Sequence, residues 1–120
     1  MAISAINLVV LRSQNPHNLT EFYKSLGLDF VLEKHGSGPE HHSSTIGDSV
    51  LEIYPCTDNA LSTKGTRIGF AVSSLNDVLS GLGGNHELIS KPRETPWGKR
   101  CVLQDPEGHK IELIERLEAA

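Results

Sequence analysis

The stretch that decides the fold is LTEFYKSLGL, which runs from Leu19 to Leu28. Its apolar residues recur at i, i+3, i+4 and i+7, a spacing that places them on one face of a helix. Asn15 is a favourable N-cap and Pro16 a favourable first helical residue, because its missing N–H costs nothing there. Gly27 stands where helices commonly end in the left-handed conformation. The pattern predicts a short amphipathic helix between Pro16 and Gly27.

The same helical face returns later in the chain, which indicates an internal repeat. At a shift of 56, the first set of residues falls on a second set of the same character. The pairs are Leu19 and Leu75, Phe22 and Val78, Tyr23 and Leu79, Leu26 and Leu82, and Gly27 and Gly83. Strand-like stretches surround both helices, at residues 5–11, 28–34, 41–46 and 49–54 and again at 67–73, 86–92, 99–104 and 110–117. The order β-α-β-β-β therefore occurs twice, in modules 1–56 and 66–120 joined by linker 57–65.

The size and charge of the chain exclude several classes of protein. A length of 120 residues fits one domain that folds without a metal or disulfide staple. A formal charge of −4 argues against nucleic-acid and membrane partners, which require a basic excess. No secretion signal or membrane span is visible, so we expect a cytoplasmic protein. Cys56 and Cys101 are too few for a disulfide framework, and we expect small buried thiols.

Two glutamates occupy equivalent positions in the last strands of the modules, Glu52 in the first and Glu112 in the second. They match at a shift of 60. Side chains alternate between the two faces of a strand, so each glutamate lies opposite its apolar neighbours. The two carboxylates therefore point either to water or into an enclosed polar cavity, and the repeat favours the cavity.

Three motifs together resemble the glyoxalase/bleomycin resistance/extradiol dioxygenase superfamily, also called the vicinal oxygen chelate proteins. They are LTEFYKSLGL in the first helix, PWGKR from Pro96 to Arg100, and DPEGHKIEL from Asp105 to Leu113. The resemblance spans essentially the whole chain. It implies an α+β fold of two paired βαβββ modules whose curled sheets enclose a cleft. Short members of this family usually form homodimers, and the cleft forms within one chain or between two.

The resemblance also implies where a metal would bind, because metal-dependent members take ligands from the first and fourth strands of each module. The matching positions here are Asn7, Glu52, Arg67 and Glu112, with Asn7 and Arg67 related by the shift of 60. Arg67 has no lone pair to offer a metal and carries a positive charge. We therefore expect no metal at these positions, and we hypothesise that Arg67 is the counter-charge for both Glu52 and Glu112.

Further residues are candidates for the cleft or for a replacement metal site. Trp97 forms either a wall of the pocket or an ordinary core or lid residue, and Arg100 is a candidate ligand-binding residue. Of the six histidines, only His41 and His42 are adjacent. Neighbouring residues of a strand point to opposite faces, so at most one of them lines the cleft. We expect a surface or loop role for both rather than metal binding.

Three function classes are compatible with these residues. The favoured one is a small-molecule binder like the bleomycin resistance proteins, with no cofactor. The second is a metal-dependent lyase or isomerase like glyoxalase I (lactoylglutathione lyase), which would need a divalent metal such as Ni, Zn, Mn or Fe. The third is a metal-free enzyme that uses Glu52 or Glu112 as general base beside Arg67. The sequence does not identify the ligand or substrate.

Overall fold

A computed structural model describes residues 2–82 and 86–116 of the chain. In the first module the elements are β1 (Leu8–Ser13), α1 (Pro16–Ser25), β2 (Val31–Glu33), β3 (His41–Ile46) and β4 (Ser49–Pro55). In the second they are β5 (Arg67–Val72), α2 (Leu75–Ser80), β6 (Glu87–Thr95), β7 (Gly98–Gln104) and β8 (Lys110–Arg116). A single 3-10 turn, Asn59–Leu61, lies between the modules.

Each module builds its own four-stranded mixed sheet. The strand orders are β1-β4-β3-β2 and β5-β8-β7-β6. In both sheets the first strand runs parallel to the fourth, and the other neighbours are antiparallel. A parallel pair needs a crossover connection, which the helix between the first two strands begins. The predicted α+β fold of two βαβββ modules is confirmed.

The helix boundaries follow the capping residues. The Asn15 side chain caps α1 by accepting a hydrogen bond from a backbone N–H of the first turn. Gly27 adopts a φ of 106°, as predicted for the residue after the helix. The second helix ends at Ser80 and is shorter than predicted. Leu82, the last residue of its predicted apolar face, lies beyond the helix. The expected terminator Gly83 lies outside the described residues.

The two outer strands depart most from the predicted bounds. β2 has three residues where the sequence predicts seven, and short edge strands are a common protection against pairing with other chains. β6 continues through Pro92 to Thr95. A proline is tolerated there because β6 lies at the edge of its sheet, and its pairing with β7 is interrupted on both sides of Ser90.

One hydrophobic core serves both modules and lies beneath α1 and α2. From α1 it takes Leu19, Phe22 and Tyr23, and from α2 it takes Leu75, as the helical periodicity predicts. The strands contribute alternate residues, among them Leu11, Leu51, Ile53, Leu103, Ile111 and Leu113. Glu52 and Glu112 therefore lie on the sheet faces that point away from this core, as the alternation predicts.

A buried hydrogen-bond network, which the sequence pattern did not reveal, also joins the modules. The Tyr23 hydroxyl donates to Asp105 Oδ2 at 2.7 Å, and His109 Nδ1 donates to the same oxygen at 2.8 Å. The Thr63 hydroxyl donates to His109 Nε2 at 2.6 Å and accepts from the backbone N–H of Arg12 at 2.9 Å. The network thus connects α1, β1, the linker and the turn before β8.

Both cysteines are free and buried, as expected, and burial raises the pKa of the Cys101 thiol. Within residues 2–82 and 86–116, no helix has the length and apolar character needed to cross a membrane.

Candidate functional site

A mostly apolar cleft of about 380 Å³ opens where the first strands of the two modules begin. Its walls come from β1, β4 and β5, from the end of β3 and from the residues that precede β1. They include Ile6, Val9, Ile46, Val50, Leu51, Ile68 and Phe70. Arg67 is the charged residue of this lining, and its side chain is 52% exposed. The cleft therefore offers an apolar surface with one guanidinium at its wall.

The strand register corrects the expected symmetry between Asn7 and Arg67. Leu8 pairs with Val50, whereas Arg67 pairs with Lys110, so the residue equivalent to Arg67 is Leu8. Asn7 is exposed and precedes β1, and its backbone carbonyl accepts a hydrogen bond from the N–H of Val50 at 2.8 Å. A difference of one residue reverses the face of a strand side chain. The predicted equivalence of Asn7 with Arg67 is therefore wrong.

Glu112 is bound by two guanidinium groups. Arg67 donates to its Oε1 at 3.1 Å, and Arg100 contacts the same oxygen through Nε and a terminal nitrogen. The hydrogen bond from Arg67 is the main cause that lowers the pKa of Glu112, with further lowering by Arg100 and opposition from burial. The Glu112 side chain is 29% exposed. It is a fixed carboxylate at the surface of the second sheet.

Glu52 has a different partner from the one expected. Its Oε2 lies 3.1 Å from His41 Nε2, and among the described residues no ion pair joins it to Arg67. The hypothesis that one arginine neutralises both glutamates is therefore correct for Glu112 and wrong for Glu52. His41 is 1% exposed, so the expected surface or loop role is also wrong for this histidine. His42 points to the other face, and burial is the main cause that lowers its pKa.

The two sheets place different chemistry at equivalent positions. Opposite Glu52 on β1 stands Val10, and opposite Glu112 on β5 stands Gly69. Neither residue offers a side-chain ligand atom. A β-carbon on Gly69 would lie 3.6 Å from the Glu112 carboxylate. The residues present thus do not fit a metal shared between Glu52 and Glu112 in the manner of the metal-dependent relatives.

Trp97 stands in the turn between β6 and β7 and is 72% exposed. Its position excludes a core role, and it is not among the residues that line the cleft of about 380 Å³. Arg100 lies beside Glu112 and is likewise not among the residues that line this cleft.

Two residues that the sequence did not single out complete a cluster around His41 and Glu52. Glu33 is the cross-strand partner of His41, and His35 lies two residues after Glu33 in the chain. The four side chains offer ligand atoms that all lie within 4.8 Å of one another. The turn residues Gly36 to Pro39 predict that β2 and β3 are neighbours, but they do not define which residues of the two strands pair.

The chain matches the family model "Glyoxalase/Bleomycin resistance protein/Dioxygenase superfamily" over residues 5–113. It therefore belongs to this superfamily, as the three motifs indicated. A comparison with curated protein sequences gives no significant match.

Solved structures of similar fold include TnmS3, an antibiotic binding protein from Streptomyces sp. CB03234. It has a TM-score of 0.77 at 20% identity, with 98% of this chain and 99% of that chain covered. TioX from Micromonospora sp. ML1 has a TM-score of 0.73 at 15% identity, with coverage of 95% and 100%. A glyoxalase/bleomycin resistance protein from Streptomyces sp. CB03234 has a TM-score of 0.72 at 18% identity, with coverage of 92% and 100%. These likenesses establish the fold.

Proposed function

We propose that the chain binds a small molecule with an apolar body and an anionic group, and that it does so without a metal shared between Glu52 and Glu112. The observation that carries this proposal is the pairing of one carboxylate, Glu112, with two guanidiniums, Arg67 and Arg100. The group as a whole has a positive charge, and Arg67 extends into the lining of the apolar cleft. A bound carboxylate or phosphate would complete the neutralisation.

The same contacts favour a binding protein over the two enzymatic alternatives. A lyase of the glyoxalase I type needs several ligand atoms between the modules, and Leu8 and Arg67, at the equivalent first-strand positions, supply none. A general base works best with a pKa near the working pH, whereas the guanidiniums lower the pKa of Glu112. The neighbour TnmS3, which is described as an antibiotic binding protein, makes small antibiotics with an acidic group the first natural candidates.

A pair of probes that differ in charge tests the proposal. Naphthalene-2-carboxylate and 2-naphthylmethylammonium share an apolar body, and isothermal titration measures the affinity of each. We expect the carboxylate to bind about 10-fold more tightly, since one charged hydrogen bond contributes about 1.5 kcal/mol. Arg67→Gln should abolish this preference, whereas Lys24→Gln, on the exposed face of α1, should preserve it. Equal affinities in the unmodified protein would refute the proposal.

We also infer that a second copy of the chain completes the cleft. Ile6 and Leu8 are 75% and 48% exposed, and Ile6 lines the cleft. The radius of gyration is 15.1 Å, compared with about 14 Å for a compact domain of this length. Size-exclusion chromatography with light scattering should give twice the mass of one chain. Leu8→Glu should yield the monomer, while Leu61→Glu, at a similarly exposed position outside the cleft, should leave the dimer intact. A monomeric unmodified protein would overturn this inference.

A further inference from the structure

The cluster of Glu33, His35, His41 and Glu52 lies within the first sheet and is separate from the Glu112 group. Glu33 and His41 are direct partners across β2 and β3, and Glu52 is on the adjacent strand β4. His35 follows β2, and its ring lies 5.0 Å from the ring of His41. We propose that these four side chains bind one divalent transition-metal ion, with Zn²⁺ as the best match.

The first argument is the tautomer of His41. Its Nδ1 lies 3.3 Å from the backbone carbonyl oxygen of Pro39, which can only accept a hydrogen bond. Nδ1 therefore carries a proton, and in the neutral ring the lone pair is on Nε2. Histidines that bind metals are commonly held in this way, with one nitrogen donating to a carbonyl and the other free for the metal.

The second argument is the orphaned lone pair that results. His41 Nε2 is buried and has no hydrogen-bond partner, although Glu52 Oε2 lies 3.1 Å away. In the neutral ring, two electron-rich atoms thus face each other at this distance. Such an arrangement is costly in a buried site unless a proton or a metal ion lies between the two atoms.

The third argument is charge. Glu33 and Glu52 bring two carboxylates into the cluster, and among the described residues their only ion-pair partners are His35 and His41. In the second sheet the equivalent of His41 is Arg100, which neutralises Glu112 directly. The first sheet has His41 at this position, and a histidine carries a charge only when it is protonated. A divalent ion would supply the missing positive charge.

The geometry fits four-coordinate zinc. Bonds of about 2.0–2.1 Å in a tetrahedron place neighbouring ligand atoms about 3.4 Å apart. The buried pair of His41 and Glu52 is already at 3.1 Å. The ligand atoms of His35 and Glu33, whose side chains are 66% and 35% exposed, would have to move closer. Stacking on Tyr54, with ring centroids 4.2 Å apart, fixes the His41 ring. Two nitrogens and two oxygens favour Zn²⁺ over Mg²⁺ or Ca²⁺, which prefer oxygen ligands alone.

The test is Zn²⁺ binding by protein purified without a metal-binding tag, stripped with a chelator and dialysed. Titration against a competing chromophoric indicator should give one Zn²⁺ per chain, and Mg²⁺ should not compete. His35→Gln and Glu33→Gln should each weaken Zn²⁺ binding by at least about 10-fold. Both side chains are partly or largely exposed, so these variants should keep the unmodified melting temperature of the metal-free protein. His42→Gln, on the opposite face of β3, is the matched control and should bind Zn²⁺ normally.

Nitrogen-15 NMR gives an independent readout that does not depend on substitution. The metal-free protein should show His41 protonated at Nδ1, and Zn²⁺ should shift the Nε2 resonance of the same ring. Absence of stoichiometric binding would overturn the proposal, as would binding that His35→Gln and Glu33→Gln leave unchanged. Loss of binding on Glu112→Gln would also overturn it, because the ion would then lie between the modules. None of these outcomes depends on whether the cleft binds the naphthalene probes.

Discussion

Removal of the Asp105 carboxylate should be among the most destabilising single changes outside the apolar core. Asp105 is 3% exposed and accepts four hydrogen bonds, two from backbone N–H groups and two from the side chains of Tyr23 and His109. Both side chains are fully buried, so Asp105→Ala leaves two donors that water does not reach. Each stranded donor costs about 1–3 kcal/mol, which gives a loss of about 4 kcal/mol. Native domains of this kind are stable by only about 5–15 kcal/mol.

Asp105→Asn separates the loss of hydrogen bonds from the loss of charge. The amide oxygen of asparagine still accepts the two backbone hydrogen bonds, and the amide nitrogen donates to His109 Nδ1 if the ring changes its tautomer. His109 Nε2 then donates to Thr63 instead of accepting from it. Only the Tyr23 hydroxyl proton loses its acceptor, so we expect a loss of about 1–2 kcal/mol.

Urea denaturation followed by circular dichroism measures both variants. With an m-value of about 1.5 kcal/mol/M, Asp105→Ala should lower the midpoint by about 2.5 M and Asp105→Asn by about 1 M. The control Asp29→Ala, at an exposed position, should stay within about 0.5 kcal/mol of the unmodified protein. A loss below about 1 kcal/mol for Asp105→Ala, or equal losses for both variants, would refute the reasoning.

Three further predictions concern pH and backbone conformation. Burial, followed by the charge of the nearby carboxylate, raises the pKa of Tyr23 well above 10.0. The stability advantage of the unmodified protein over Tyr23→Phe should therefore be complete below pH 10. Above pH 10 it should fall by about 1.4 kcal/mol per pH unit, measured by urea denaturation at alkaline pH. The pKa of Glu112 is lowered from 4.5, so the stability advantage of the unmodified protein over Glu112→Gln should be present at neutral pH. In urea denaturation at acid pH it should disappear as the pH falls below 4.5 and through the lowered pKa. A constant stability difference down to about pH 2 would contradict this prediction. A β-carbon on Gly98 would overlap the Glu115 carbonyl oxygen, so Gly98→Ala should cost about 3 kcal/mol or more in thermal unfolding, whereas Gly47→Ala, with open space around it, should cost about 1–2 kcal/mol.

The sequence predicts features that depend on neighbours along the chain. The period of a strand places Glu52 and Glu112 away from the core, and the helical spacing selects Leu19 and Leu75 as buried residues. The residue at which a helix begins also follows from local capping, as at Asn15. These features need no knowledge of which strand pairs with which.

Features that depend on pairing between distant segments are not available from the sequence. The equivalence of Arg67 with Leu8 rather than Asn7 rests on the register of β1 with β4 and of β5 with β8, and a slip of one residue reverses every face. The contact of Tyr23 with Asp105 joins residues 82 positions apart. Periodicity carries no information about such a contact.

The internal repeat offers a physical reason for the different partners of the two glutamates. A carboxylate on the sheet face needs a counter-charge wherever burial limits its contact with water. The second module supplies it from its own chain, through Arg67 and Arg100, and this carboxylate is then fixed and unavailable to a metal. The first module has Leu8 and His41 at those two positions, so it has no permanently charged cation there. If both proposals hold, the duplicated fold divides two tasks between its halves, with anion recognition in the second sheet and cation binding in the first.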